Sequence, residues 1–161
     1  MLLRVRKYAI IVSPEAGGAV LLLKDETSDV ALPIGIDRHM GRIISDLMKR
    51  VPRRRPETYD LMRKILSECR ARLTRVAIKD RKQGLYSATV NIEDQGGEIE
   101  LNCCPSDAVA LAICERVPIF VEEKLLSVGY VIKIKSGNED PLERRLRNIN
   151  SDFFKYNKYK M

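Results

Sequence analysis

Histidine is nearly missing from this sequence: His39 stands alone among 161 residues, which excludes any mechanism that needs two imidazoles. There is no glycine-rich phosphate loop between a strand and a helix, no nucleophile elbow and no paired-histidine metal motif. Long apolar runs are also missing. The longest, residues 108–114, holds seven residues, against the roughly 20 that a membrane-spanning helix needs. The first twelve residues show no apolar stretch followed by a small-residue cleavage site, so the expectation is a cytoplasmic protein without contact with a membrane. Cysteines are few, and none of Cys69, Cys103, Cys104 and Cys114 has the two-residue gap of a zinc knuckle or a redox pair. They read as reduced thiols, three of them inside apolar periodic segments where Cys acts as a small buried apolar side chain. Nine Gly and seven Pro are too few for a collagen-like or disordered chain. What remains, 45% apolar and 32% charged, is a globular domain large enough to bury a core.

The net charge of +7 is unevenly placed. Residues 1–46 are balanced, with six basic and six acidic groups, whereas residues 47–82 carry thirteen and four. Residues 83–132 carry two and eight, and residues 133–161 carry eight and four. Lys49, Arg50, Arg53, Arg54, Arg55, Arg63 and Lys64 are what a phosphate-contacting surface is made of. A solvated basic face without a partner would read the same, since charge alone reads no nucleic-acid sequence.

Residues 4–12, about 19–24 and about 30–36 read as strands, and Met40, Ile43, Ile44, Leu47, Met48 and Val51 then recur on one helix face ended by Pro52. Pro56 fits the first turn of a second helix, whose Leu61, Met62, Ile65, Leu66 and Cys69 form one stripe. Strands return at 73–79 and 85–93 around a turn at 80–84. The second of them shows the clearest alternation, Tyr86, Ala88, Val90 and Ile92 against Ser87, Thr89 and Asn91. Asp94-Gln95-Gly96-Gly97 turns the chain into a partner strand, Pro105 opens an apolar helix that should be buried on most sides, and residues 118–121 read as a short strand.

Sliding the chain against itself by 66 residues brings Arg4-Val5-Arg6 onto Arg70-Ala71-Arg72, Gly18 onto Gly84, Leu47 onto Ile113 and Arg50-Val51-Pro52 onto Arg116-Val117-Pro118. A turn differs by one residue, since Ile34 falls on Glu100. The shared unit is three strands and a helix, so the expected fold is α+β: two similar β-β-β-α halves by internal duplication, with a mostly antiparallel or mixed sheet. From about Ser136 the character changes to a C-terminal tail. Leu142, Leu146 and Ile149 suit a short helix, and Phe153, Phe154, Tyr156 and Tyr159 interleave with lysines that could meet nucleic acid or dock on the protein itself.

Hydrolysis of a phosphodiester without paired imidazoles would fall to carboxylates, with a divalent cation such as Mg²⁺ or Mn²⁺ activating water. Asp80, Glu98, Glu100 and Asp107 are the candidates. Each also has a purely structural reading: Asp80 as a turn residue, Glu98 and Glu100 as a solvated strand face, and Ser106-Asp107 as a helix start.

Five segments together resemble the bifunctional nuclease family. They are Leu32-Pro33-Ile34-Gly35-Ile36; Arg55-Pro56-Glu57-Thr58-Tyr59-Asp60-Leu61; Val76-Ala77-Ile78-Lys79-Asp80 with Gly84-Leu85-Tyr86-Ser87-Ala88; Glu98-Ile99-Glu100-Leu101 leading to Pro105-Ser106-Asp107-Ala108; and Val117-Pro118-Ile119-Phe120-Val121. The resemblance, over about residues 8–128, implies a nuclease acting on DNA and RNA with low sequence specificity, a compact α+β domain over residues 1–132 before the tail at 133–161, and a homodimer or higher homo-oligomer. It makes Asp60, Asp80, Glu100, Ser106 and Asp107 the candidate catalytic residues. Where the family pattern has an acidic residue this chain has Met40, where it has a histidine it has Tyr59, and where it has Asp-Ala-Arg it has Asn102-Cys103-Cys104. These departures open the alternative of a catalytically degenerate module that binds nucleic acid or a protein partner. Ser106 and Asp107 could then serve to present helix N–H groups to a phosphate.

Overall fold

The computed structural model describes residues 1–12, 18–52, 55–127 and 131–134, with the side chains of residues 7–9, 11 and 12 set aside. Arg53, Arg54 and the tail expected beyond residue 134 lie outside the described residues. The α+β expectation holds. Eight strands form one mixed sheet in the order β6-β5-β4-β7-β1-β2-β3-β8: β1 Leu2–Val12, β2 Gly18–Asp25, β3 Val30–Asp37, β4 Arg72–Lys82, β5 Leu85–Asp94, β6 Gly97–Cys103, β7 Ile119–Glu122 and β8 Ile132–Lys133. Only β4 and β7 run parallel; every other neighbouring pair is antiparallel. The described residues also form four helices: α1 Arg38–Lys49, α2 Thr58–Glu68, α3 Pro105–Glu115 and α4 Glu123–Ser127. None of the described helices is long and apolar enough to cross a membrane.

Alternation decides which strand residues enter the core. Leu21, Leu23, Leu32, Ile34, Val76, Ile78, Ala88 and Val90 form a continuous cluster with Ile44 and Leu47 of α1 and with residues Ala108, Val109, Ala110, Leu111 and Ala112 of α3. As the apolar run predicts, α3 is the most enclosed helix, and its alanines let it approach strands and helices closely. Both α1 and α3 end in a left-handed arginine, Arg50 and Arg116, spaced by the same 66 residues that align the two halves.

Several expectations need correction. Pro56 is not in the first turn of α2. Glu57 caps that helix through a reciprocal box with Asp60, so Pro56 precedes it. Strand β4 runs on to Lys82, and the turn narrows to Gln83 and Gly84, both at positive φ (50° and 82°), the conformation that suits a tight hairpin. The stripe on α2 is only partly core: Leu66 packs against the core cluster, but Leu61 is 58% and Ile65 53% exposed, and Met62 is exposed beside them. Cys69 on that stripe is exposed, as is Cys104, so neither behaves as a buried thiol, whereas Cys103 and Cys114 are half-buried. Helix α4 and strand β8 carry too few residues for a periodic signal and were not expected.

Candidate functional site

Three helices begin near one another, and each start is dictated locally. Asp37 has extended backbone, and its Oδ1 accepts a hydrogen bond from Met40 N at 2.8 Å, capping α1. In α2, Glu57 N donates to Asp60 Oδ2 at 2.9 Å. In α3, Pro105 occupies the first helical position, where its missing N–H is harmless, and Asp107 follows in the first turn. These starts put Met40, Tyr59 and Asp107 in contact.

Tyr59 is 5% exposed, and its hydroxyl donates to Asp107 Oδ1 at 2.7 Å while lying 3.5 Å from Met40 Sδ. A phenol has one proton, and the carboxylate is the stronger acceptor, so Asp107 holds it and the thioether packs against the oxygen. Burial first, and then the hydrogen bond to Asp107, push the Tyr59 phenol well above its ordinary range, so it stays a neutral donor. Burial, reinforced by the charge of Asp107, pushes the Cys103 thiol up to about 11. It is therefore a poor nucleophile and a poor metal ligand at neutral pH.

The other candidate residues are placed elsewhere. Asp60 is spent on the α2 cap, and Ser106 is half-buried in the same turn as Asp107. Asp80, at the far end of β4, accepts from Arg81 N at 2.8 Å and from Lys124 Nζ at 3.1 Å. The Arg81 amide first, and then Lys124, hold its carboxyl below the usual range. It borders a pocket of about 420 Å³ shared with Arg81, Gln83, Tyr86 and Lys124. Glu100 points away from the helices, because its pairing partner Asn91 alternates with the core residue Val90. There it lies 3.3 Å from Lys79 Nζ and 3.5 Å from Asn91 Nδ2, beside Glu98, which accepts from the same amide at 2.9 Å.

Asp107, Asp80 and Glu100 thus belong to three separate sets of contacts. Among the described residues no three His, Cys, Asp or Glu side chains are grouped to hold a metal ion. The described carboxylates therefore do not fit the divalent-cation site that hydrolysis by this route would require.

Of the basic residues, Lys49 ends α1, Arg50 is its exposed cap, and Arg55 and Lys64 are exposed. Arg63 is also exposed, 3.6 Å from Glu115. Sequence reasoning named Met40 and Tyr59 as departures without placing them against Asp107, read Asn91 only as the polar face of a strand, and did not single out Lys124. The available signal for Tyr59 was its position one residue after a helix start, facing the stripe that contains Leu66.

Comparison with known proteins supplies the context. Two proteins from Mycobacterium tuberculosis, "Uncharacterized protein MT1877" of strain CDC 1551 / Oshkosh and "Uncharacterized protein Rv1829" of strain ATCC 25618 / H37Rv, are each 35% identical to this chain over 136 residues, covering 84% of it and 81% of the relative. The profile of the bifunctional nuclease domain matches residues 21–132, which hold most of β2, β3 to β7, α1 to α4 and the Tyr59–Asp107 pair. The chain belongs to the bifunctional nuclease domain family.

Proposed function

We propose that this chain is a member of the family that grips the phosphate backbone of DNA or RNA without cutting it, acting in the cytoplasm as a homo-oligomer. The single observation that carries this reading is the Tyr59 hydroxyl donating to Asp107 at 2.7 Å, with Met40 packed against it. That bond ties Oδ1 to a neutral donor, and no other described carboxylate is grouped with Asp107 to complete a cation site. Tyr59 and Met40 both stand where the family pattern has ionisable groups.

The basic surface supplies the grip. Lys49 and Arg50 end α1, Arg55 is exposed in the connection that follows, Arg63 and Lys64 are exposed midway along α2, and Arg53 and Arg54 belong to the same run of sequence. Binding built on such residues depends on phosphate charge and releases counterions, so affinity for duplex falls with log salt at a slope of about 0.9 per phosphate contact. A titration of labelled single-stranded and duplex oligonucleotides at several salt concentrations tests this. Steeply salt-dependent binding, weakened by Lys49→Glu with Lys64→Glu, is expected; affinity indifferent to salt and to both charges would remove the reading.

A second reading, favoured by the family itself, is hydrolysis of DNA or RNA with Asp107, Asp80, Glu100, Ser106 and Asp60 as the candidate residues. It requires a cation to be recruited to carboxylates that are now apart. Metal-dependent product in the same samples would favour it.

A further inference from the structure

The hairpin of β4 and β5 is irregular where it leaves the core. One extra residue lies in β4 between Ile78 and Asp80, and this bulge resets the pairing, so that Asp80 stands opposite Ser87 and Arg81 opposite Tyr86. Without it, Arg81 would fall on the other sheet face from Tyr86. As built, the guanidinium carbon of Arg81 lies 5.5 Å from the centroid of the Tyr86 ring. Helix α4 supplies the opposite wall: Leu125 is buried in the core cluster, and Lys124 Nζ lies 3.1 Å from Asp80 Oδ1. Between hairpin and helix is the pocket of about 420 Å³, within the roughly 300–1,000 Å³ of pockets that take small molecules. Its lining sets two cations, Arg81 and Lys124, against one carboxylate, Asp80, and Lys82 adds a third cation 4.0 Å from that carboxylate, for a net +2.

We propose that this pocket takes the phosphate monoester of a single nucleotide, free or at the end of a strand. A monoester carries close to two negative charges at neutral pH, whereas each diester of a backbone carries one, so a pocket of net charge +2 suits the terminal group. The side chains of Lys124 and Lys82 are 58% and 86% exposed and can turn to the anion, while Asp80 keeps the hydrogen bond from the Arg81 amide. Asp80 is then a positioning residue that aims Lys124 rather than a group that touches the phosphate. The flat Arg81–Tyr86 stack and Leu125 offer the nucleoside an apolar wall, and Gln83 a hydrogen-bonding rim. The pocket shares no residue with the basic run between Lys49 and Lys64, so it goes beyond the binding of strand backbone proposed above and does not rest on it.

Isothermal titration calorimetry of the full chain with adenosine 5′-monophosphate, adenosine and inorganic phosphate, and with a trinucleotide bearing a 5′-phosphate or a 5′-hydroxyl, tests this. The trinucleotides are titrated into Lys49→Glu with Lys64→Glu, so that the basic surface does not contribute. The monophosphate should bind about tenfold more tightly than adenosine or phosphate, as one or two charge-assisted hydrogen bonds provide. Its affinity should fall as pH is lowered through the second phosphate ionisation near about 6. Lys124→Gln and Lys82→Gln should each weaken it several-fold with unchanged circular dichroism, and Arg81→Gln should weaken it further. Should Arg81→Gln fail to fold, the two exposed lysines decide. A monophosphate bound more tightly than the phosphorylated trinucleotide identifies a free nucleotide as the occupant, and the reverse order identifies a strand end. Adenosine or inorganic phosphate bound as tightly as the monophosphate, affinity indifferent to both lysine variants, or no binding of either phosphorylated ligand would overturn the proposal. Loss of duplex binding in Lys49→Glu with Lys64→Glu tests the basic surface alone.

Discussion

The two halves of the molecule share an element order but not a level of enclosure. In the first, Leu21, Leu22, Leu23, Leu32 and Ile34 are sealed, and β3 is buried along most of its length. In the second, the strand in the equivalent place, β6, is exposed from Gly97 to Asn102, and α3 begins at the Tyr59–Asp107 contact. The difference lies in the third strand of each half, core in one and surface in the other. Deeply apolar strands supply stability, while the half with polar alternation is left free to carry contacts.

The sharpest way to break that contrast is to truncate one leucine in each half. Leu32→Ala should destabilise by about 2–5 kcal/mol, through lost burial and the cavity left behind. Leu85→Ala, at the exposed start of β5, should change stability by no more than about 0.5 kcal/mol. Denaturant unfolding of both variants checks this, and equal losses would erase the distinction. Next in size is Gly41→Ala. An added Cβ there would meet the Ala19 Cβ at 2.7 Å, and neither atom can yield without its backbone, so a loss of about 1–3 kcal/mol is expected from overpacking.

The second half has its own signature in alkaline solution. Cys103 and Tyr59 both have raised pKa values in the fold, so the stability linked to them is complete below their unfolded values and is lost as pH rises. For Cys103 the loss runs from about 9 to about 11; for Tyr59 it starts near 10 and continues upward. Unfolding midpoints measured across this range should fall for the native chain. The decline should be shallower in Tyr59→Phe, which itself removes the hydrogen bond and should be less stable at neutral pH by about 1–3 kcal/mol. The smallest effect on stability belongs to Lys49→Glu with Lys64→Glu. The fold should be unmoved within about 0.5 kcal/mol while oligonucleotide affinity drops and loses part of its salt dependence.

Much of the fold was legible because strand alternation and helix phase are local. The pairing of Ile92 with Ile99 follows from a turn of two residues, and the enclosure of α3 follows from seven apolar residues in a row. The stripe of α2 shows where such reading stops. Periodicity identifies a face but not what covers it, and Leu61 and Ile65 are left to solvent. The candidate site was half legible. Pro105-Ser106-Asp107 marks a helix start from sequence alone, but its partner Tyr59 lies 48 positions away, and Lys124 lies 44 positions from Asp80. Such contacts arise only when separate elements converge, and no spacing in the sequence encodes them. Carboxylates that looked like one catalytic set were dispersed by the same geometry: β6 alternation sends Glu100 to the sheet face away from α3.

The central claim, that the chain binds nucleic acid and that its Tyr59–Asp107 centre does not cut it, is tested most directly on a gel. Native chain and Asp107→Ala are incubated with end-labelled RNA, single-stranded DNA and duplex, with Mg²⁺, with Mn²⁺ and with a chelator. The account predicts that the native chain retards these substrates yet yields no metal-dependent product, and that Asp107→Ala behaves alike. Metal-dependent cleavage by the native chain that disappears in Asp107→Ala would contradict it and make Asp107 the centre of a working nuclease.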